Sequence, residues 1–169
     1  MVQDAPLSST PLPAGVLIDL IRQVPRVQYA KIEVPQAADK LHTLISALGD
    51  HLPGPFDGEE SVTLIPDLDA GATGTMPSST VPGELGQIVR RYRAGDRPGA
   101  VSAWEALLPL IHFENRQCGL RAQKILLAEG GIIACERTRA PLGPVSPRTR
   151  RGLIELAARH DLLIMRWAG

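Results

Sequence analysis

The stretch Val27-Gln28-Tyr29-Ala30-Lys31-Ile32-Glu33-Val34, which lies between Pro25 and Pro35, decides the fold. Its β-branched and aromatic residues predict a strand of about eight residues. Because side chains alternate along a strand, Lys31 and Glu33 share one face, and the apolar residues beside them share the other. Both faces of a parallel sheet are normally buried, so this strand places two charged groups where apolar side chains are expected.

Two interpretations of Lys31 follow from this stretch. An ammonium group is costly to bury unless it is paired or neutralised. In the structural interpretation, Lys31 lies at a wet strand end or pairs with Glu33. In the chemical interpretation, Lys31 is a desolvated amine that is ready to form a Schiff base with a carbonyl compound. The eight residues alone leave both interpretations open.

Length and charge limit the class of protein. The chain has 169 residues, which is enough for one domain with a substantial core. Its 18 basic and 18 acidic residues give a net charge of zero. Two basic clusters, 90–93 and 148–151, fall in or at the start of predicted helices, where solvated faces are expected. We therefore predict no nucleic-acid partner.

Cysteine content and hydropathy predict the compartment. Cys118 and Cys135 are too few and too far apart for a zinc or redox motif, and they fit a reducing cytoplasm. The N-terminus has no basic stretch followed by an apolar core, as a signal peptide would have. The longest apolar runs are far shorter than the roughly 20 residues that cross a bilayer. We expect a soluble cytoplasmic protein without a membrane partner.

Strand-like and helical segments alternate over the first half of the chain. The predicted order is strand 1–4, helix 13–23, the Lys31 strand, helix 37–48, a brief strand within 53–58, helix 60–70 and strand 72–76. Such alternation predicts βα units and a parallel sheet. Four helices are then predicted, at 82–94, 97–117, 119–129 and 147–159. A closed (β/α)₈ barrel has twice as many strands and typically about 250 residues, so the pattern indicates either a small open sheet or part of something larger.

Other common chemistries lack support. The four histidines show no metal-ligand spacing. Gly71-Ala72-Thr73-Gly74 is glycine-rich, but it follows a helix and enters a strand, whereas a phosphate-binding loop has the opposite order. No Gly-x-Ser-x-Gly elbow occurs. The sequence predicts no metal and no cofactor.

Three segments occur in a telling order, with helical segments between them. They are Val2-Gln3-Asp4-Ala5-Pro6, Tyr29-Ala30-Lys31-Ile32-Glu33 and Gly71-Ala72-Thr73-Gly74-Thr75-Met76-Pro77. Together they resemble the C-terminal part of the dihydrodipicolinate synthase / N-acetylneuraminate lyase family, over about residues 1–163. Members of this family are Schiff-base lyases built on a (β/α)₈ barrel with a C-terminal helical extension.

The resemblance implies an α/β fold, namely the C-terminal half of a (β/α)₈ barrel with about strands five to eight, followed by the helical extension. Residues 1–4 would form the fifth strand, 28–33 the sixth and 72–76 the eighth. Residues 1–81 would form the partial barrel, and residues 82–169 the last barrel helix and the extension.

The resemblance also implies a site. Lys31 falls on the family's Schiff-base lysine. Gly58 and Glu59 fall on the loop after the seventh strand, at the mouth of the site. Thr75 and Met76 fall where the eighth strand contributes backbone and an apolar side chain to the pocket. All lie at the C-terminal ends of strands, where barrel enzymes place their chemistry.

The implied activity is that of a class I aldolase-type lyase, either an aldolase or a dehydratase. The amine of Lys31 would attack the ketone of a small-molecule substrate, pyruvate or another 2-oxo acid. The iminium would then act as an electron sink for C–C bond making or breaking, or for loss of water.

One departure from the family concerns the fifth strand. Many members carry Tyr-Asn-x-Pro there, and the tyrosine relays protons and orients the substrate. The matching segment is Gln3-Asp4-Ala5-Pro6, so the substrate-binding position of the tyrosine is taken by Gln3. Glutamine donates hydrogen bonds but cannot relay protons at ordinary pH. This difference favours a sugar-acid or other oxo-acid substrate over dihydrodipicolinate synthesis.

A second departure concerns the first four βα units, which lie outside the matched part together with the family's Gly-Thr/Ser-Thr loop for the substrate carboxylate. A half barrel would leave two open sheet edges, which invite association. We therefore expect a homo-oligomer or a complementing N-terminal half. The alternative function is a non-catalytic truncated fragment, or a half-subunit that needs an N-terminal partner.

Overall fold

The computed structural model describes residues 1–5, 10 and 12–166, so Pro6 of the first motif lies outside the described residues. The chain divides into two compact units, Met1–Pro77 and a second one that begins at Ser78. The first unit contains strands β1 (Val2–Asp4), β2 (Tyr29–Ile32), β3 (Gly54–Asp57) and β4 (Gly74–Thr75), and helices α1 (Ala14–Gln23), α2 (Ala37–Leu48) and α3 (Leu64–Asp69). Short 3₁₀ turns cover Gly49–His51 and Glu59–Ser61.

The four strands form one parallel sheet in the order β1-β2-β3-β4. Within the unit each of the first three strands is followed by a helix, so it is a run of βα repeats that ends on β4, as the alternation in the sequence predicts. This arrangement is that of half a (β/α)₈ barrel.

The Lys31 strand is shorter than predicted. β2 covers four residues rather than about eight. Val27 N–H donates to the Val24 carbonyl at 2.8 Å in a turn, which removes it from the ladder. At the other end, Glu33 N–H still donates to the Asp4 carbonyl at 2.8 Å. Ladder hydrogen bonds therefore reach one residue beyond β2 at its C-terminal end.

Strand register separates the side chains into two sets. Gln3, Lys31, Phe56 and Gly74 lie side by side across the sheet, and Asp4, Ile32, Asp57 and Thr75 form the next row. Because successive residues point to opposite faces, these two rows point away from each other. We call the first face the lysine face and the second the helix face.

The helix face carries the core of the first unit. Ala30 and Ile32 are buried there, and the helices supply fully or nearly fully buried leucine and isoleucine side chains, namely Leu17, Ile21, Leu41, Leu44, Leu48, Leu64, Ile65 and Leu68. Each such side chain stabilises the fold by roughly 1.5–3 kcal/mol. Asp4 is also buried on this face, where it forms an ion pair with Lys40 of α2.

The helix predicted over 60–70 begins late, at Leu64. Glu59, Glu60 and Ser61 have φ values of 46°, 54° and 69°, so the backbone here is left-handed. Left-handed φ is incompatible with a right-handed α-helix. The segment 58–61 is therefore a tight connection between β3 and α3.

The second unit is helical. It contains α4 (Pro82–Arg93), α5 (Arg97–Phe113), α6 (Arg121–Glu129) and α7 (Pro147–Ala157). The side chains of Asp96 and Ser146 cap α5 and α7 by accepting hydrogen bonds from backbone N–H groups. α5 ends at Phe113 rather than Gln117, because residues Glu114–Cys118 form a π-helical turn. The assignment of 1–81 and 82–169 to barrel and extension stays a prediction.

None of the helices in the described part of the chain is long and apolar enough to cross a membrane.

Candidate active site

Lys31 and Glu33 form an ion pair on the lysine face. Their side chains are largely withdrawn from solvent, with 15% and 12% exposure. Lys31 lies in β2 and Glu33 immediately follows it, so the alternation of the chain places both on one face. The structure thus brings an amine and a carboxylate together at the C-terminal end of a parallel strand.

Two further groups bind the Glu33 carboxylate. Gln3 Nε2 donates to Glu33 Oε2 at 2.8 Å, and the Glu59 backbone N–H donates to Oε1 at 3.3 Å. Gln3 can reach Glu33 because the register places it beside Lys31 on the neighbouring strand. Glu33 is therefore the centre of the cluster. The sequence suggests Glu33 only as a structural partner of Lys31, and its position two residues further along the same strand face is the signal for a larger role.

Gly58 allows the backbone to lie against Glu33. A Cβ at this position would be 2.1 Å from Cγ of Glu33, so any larger residue would displace that side chain. The glycine at the end of β3 is thus required by close contact with the cluster.

The left-handed segment Glu59–Ser61 is held at both ends. Ser61 N–H donates to the Gly58 carbonyl at 2.9 Å, and the Ser61 and Thr75 hydroxyl oxygens are 2.6 Å apart. Left-handed backbone costs about 1–3 kcal/mol at each non-glycine residue and persists only where its surroundings fix it. The strained residues lie next to the cluster, and the first of them, Glu59, donates its N–H to Glu33.

Glu60 adds a second carboxyl group to the neighbourhood. Burial raises the pKa of Glu60, the negative charge of Glu33 raises it further, and the positive charge of Lys31 opposes the rise. These electrostatic influences place Glu60 near the Lys31–Glu33 pair. The sequence assigned Glu60 to a helix start, so its proximity was missed.

Thr75 and Met76 are placed differently from the cluster. Thr75 pairs with Asp57 in the register, so its side chain lies on the helix face. Met76 directly follows β4, and its N–H donates to the Asp57 carbonyl at 3.0 Å. Of the predicted site residues, the structure gathers Lys31, Gln3, Gly58 and Glu59 around Glu33, and it keeps the side chain of Thr75 apart.

An aromatic pair lies before the cluster on the lysine face. The rings of Tyr29 and Phe56 stack with centroids 6.1 Å apart and planes 18° apart. A Cβ at Gly54 would lie 2.1 Å from Cδ1 of Tyr29, so this glycine leaves space for the ring. An aromatic, apolar surface therefore lies next to the amine and carboxylate, on the side nearer the N-terminal ends of the strands.

The cluster combines an amine, a carboxylate and an amide, which suits nucleophilic attack with proton transfer and hydrogen bonding. Among residues 1–5, 10 and 12–166, no group of three or more His, Cys, Asp or Glu side chains could hold a metal ion.

Comparison with known proteins finds related sequences and structures. No protein-family model matches the chain. It is 47% identical over 168 residues to the L-2-keto-3-deoxyarabonate dehydratase of Azospirillum brasilense, covering 99% of this chain and 54% of that protein. The chain thus spans about half the length of this relative.

Solved structures of similar fold include two dihydrodipicolinate synthases. The synthase of Rhodopseudomonas palustris has a TM-score of 0.85 at 26% identity. The match covers 94% of this chain and 55% of the synthase chain. That of Aquifex aeolicus has a TM-score of 0.85 at 20% identity, with 95% and 55% covered, and this likeness concerns the fold alone.

Proposed function

This chain has the sequence and fold of the C-terminal portion of the dihydrodipicolinate synthase family, and on that premise we propose that it is the Schiff-base-forming part of a lyase that acts on a 2-oxo acid through Lys31. The contact between Lys31 and Glu33 is the observation that carries this proposal. A structural ion pair needs no further support, but Glu33 also accepts hydrogen bonds from Gln3 and from the Glu59 backbone. Such convergence at strand ends is typical of a barrel active site.

The first step is formation of the Schiff base. The Glu33 carboxylate accepts a proton from the Lys31 ammonium, and the neutral amine attacks C2 of the 2-oxo acid. Glu33 returns that proton to the carbinol hydroxyl, which leaves as water, so that Glu33 is again a carboxylate and Lys31 Nζ is bonded to C2 in an iminium.

We propose dehydration, rather than aldol cleavage, as the second step. The relative's name indicates a 2-oxo-3-deoxy sugar acid as substrate. In the iminium, a proton leaves C3 to a base and forms an enamine, the C4 hydroxyl then leaves with a proton as water, and hydrolysis releases Lys31. Glu33 can accept the C3 proton and donate it to the leaving hydroxyl, so one carboxyl group serves both transfers.

Gln3 has a distinct role in this scheme. Its amide donates to Glu33 Oε2 and thereby orients the carboxyl group beside Lys31. An amide cannot exchange a proton as a tyrosine phenol does. Proton transfer is thus assigned to Glu33, with Gln3 as a positioning residue.

Gly58, Glu59, Thr75 and Met76 are proposed to bound the substrate site. Glu59 and Gly58 contribute through their backbone contacts with Glu33. For Thr75 the proposed contribution is its backbone, because its side chain lies on the helix face. We also propose that residues 1–81 act as barrel and residues 82–169 as last barrel helix and extension, in a cytoplasmic enzyme.

A second candidate is a half-subunit that acts only when further βα units complete the barrel. β1 and β4 are the edges of the sheet. Two apolar side chains on α1 and one directly after it are exposed, Val16 at 52%, Leu20 at 37% and Val24 at 38%. They follow a spacing of four residues and form one stripe, which a neighbouring helix of a barrel, or of another copy in an oligomer, would cover.

Borohydride trapping tests both candidates. The chain is incubated with pyruvate or another 2-oxo acid and borohydride, alone and together with the part of the Azospirillum relative that it does not match. The mass gain is located by peptide mapping, with Lys31→Arg as the matched control. Trapping by the chain alone favours the first candidate, trapping only in the mixture favours the half-subunit, and no trapping in either contradicts the role of Lys31.

A further inference from the structure

Two buried aspartates on the helix face differ in their partners. Asp4 and Asp57 lie in the same row of the sheet, and they are 1% and 0% exposed. Asp4 is neutralised by its ion pair with Lys40. Neither side-chain oxygen of Asp57 has a hydrogen-bond partner among the described residues. A fully buried carboxylate in this position is costly unless something compensates its charge.

The charged group that faces Asp57 is another buried carboxyl group. Asp67 of α3 is 0% exposed; its Oδ2 accepts a hydrogen bond from Thr63 Oγ1 at 2.7 Å, and its Oδ1 has no hydrogen-bond partner in the described part of the chain. Lys31 on β2 and Glu33 directly after it belong to the opposite face, and on α2 Lys40 binds Asp4. The polar groups from β4 and the preceding turn are the hydroxyls of Thr75 and Ser61.

Two adjacent carboxyl groups without a cation cannot both be ionised at low cost. Burial raises the pKa of Asp57 well above its ordinary value, and the neighbouring Asp67 raises it further, while Thr75 and Ser61 oppose the rise. The physical expectation is a carboxylic acid of one residue hydrogen-bonded to the carboxylate of the other.

We propose that Asp57 and Asp67 share one proton in the folded protein, and that this pair positions Ser61 and Thr75 and, through them, the 58–61 segment against Glu33. The proton sharing stands on the burial of both carboxyl groups, on their proximity and on the absence of a facing cation among the described residues. Its consequence for catalysis deepens the proposed function and rests on it.

Neighbouring residues link the pair to the cluster. Thr75 lies beside Asp57 in the register, and its hydroxyl oxygen is 2.6 Å from that of Ser61. Ser61 N–H closes the turn onto the Gly58 carbonyl at 2.9 Å. Glu59, which follows Gly58 in that turn, donates its N–H to the Glu33 carboxylate. Asp57 is thus a positioning residue that touches neither the substrate nor Lys31.

The pH dependence of unfolding tests the shared proton without any activity assay. An unfolded chain releases this proton above its ordinary pKa of about 4, whereas the folded chain retains it. Stability contributed by the pair is therefore fully present below that pH and is lost as pH rises toward the folded pKa. Over that window the unfolding equilibrium constant of the wild type rises by up to about tenfold per pH unit because of this proton.

Asp57→Asn supplies the comparison, because its amide can donate to Asp67 without titrating. We expect this variant to lack that part of the pH dependence and to be at least as stable as the wild type at pH 7. Asp50→Asn, at an exposed position, should follow the wild type. Identical pH profiles for the wild type and Asp57→Asn between pH 5 and 8 would overturn the proposal. Asp67→Asn gives a second test of the same kind. In addition, the ¹³Cγ chemical shifts of the two aspartates, measured by NMR in the wild type at pH 7, must show one protonated carboxyl group in the pair.

Amide hydrogen exchange tests the positioning. Exchange of the Glu59 and Ser61 N–H groups should be at least tenfold faster in Asp57→Ala than in the wild type, and Asp57→Asn should restore protection. Equal protection in all three proteins would contradict a positioning role. Trapping at Lys31 should fall in Asp57→Ala and recover in Asp57→Asn. If the wild type traps no 2-oxo acid, the proposed function fails, while unfolding and exchange still decide the inference about the pair.

Discussion

Glu33 contacts Lys31 through one carboxylate oxygen and accepts a hydrogen bond from Gln3 through the other, at 2.8 Å. The amide of Gln3 thereby orients the group that would move protons to and from the lysine and its adduct. In our proposal the two functions that the tyrosine of the resembling family combines are divided between two residues of this chain, a positioning amide and a titratable carboxyl group.

Replacing Glu33 by glutamine tests that division. The variant keeps the size of the side chain and its hydrogen-bonding capacity but cannot transfer a proton. We expect dehydration of a 2-oxo-3-deoxy sugar acid to fall by about 10²–10⁴-fold, the usual contribution of a general acid–base group. The measurement is the rate of product formation. It is made with the chain alone or with the mixture that contains the unmatched part of the Azospirillum relative, whichever of the two traps substrate. Glu105→Gln, at an exposed position on α5, is the matched control, and equal rates for the two variants would contradict the assignment.

Gly58→Ala tests whether the geometry around Glu33 matters. The added Cβ would lie 2.1 Å from Glu33 Cγ and must displace it. We expect trapping at Lys31 to slow by at least about tenfold, since a misplacement of about 1 Å can cost 10²-fold in rate. Gly15→Ala is the control, because a Cβ there meets nothing within 4 Å; in a helix it should stabilise the fold by about 0.5–1 kcal/mol. Unchanged trapping by Gly58→Ala would show that Glu33 need not occupy its observed position.

The alternation of strands and helices could be predicted from the sequence, whereas the role of Lys31 stays a prediction. The predicted strand around Lys31 is present in the sheet as β2, which includes Ala30, Lys31 and Ile32. The helix over 37–48 has the predicted bounds. These features depend on local periodicity, which a single sequence displays directly.

What the sequence did not reveal depends on contacts distant along the chain. By residue type, the segment Glu59–Ser61 suits the start of a helix. Its backbone is instead left-handed, and it lies between two distant contacts, that of Gly58 with Glu33 and that of Ser61 with Thr75. The burial of Asp57 and Asp67 is equally invisible, because isolated acidic residues in a sequence normally indicate solvent.

Lys40→Met probes the buried ion pair that ties α2 to β1. Removing the ammonium leaves the Asp4 carboxylate, at 1% exposure, without a cation and with the Leu12 N–H at 3.4 Å as a remaining donor. We expect a loss of about 3–5 kcal/mol in the free energy of unfolding, measured by denaturant titration. The double variant Asp4→Leu/Lys40→Met should recover much of this loss, because no buried charge remains. A loss below about 1 kcal/mol for the single variant would indicate that Asp4 reaches water or another partner.

Formation of a covalent adduct at Lys31 is the most direct test of the proposed function. The folded chain, alone and with the unmatched part of its Azospirillum relative, is treated with a 2-oxo acid and borohydride, and its peptides are analysed by mass spectrometry. Our account predicts one reduced adduct, located at Lys31 and absent from Lys31→Arg, with Lys40 and Lys124 unmodified. An adduct at another lysine, or none in either mixture, would contradict the account.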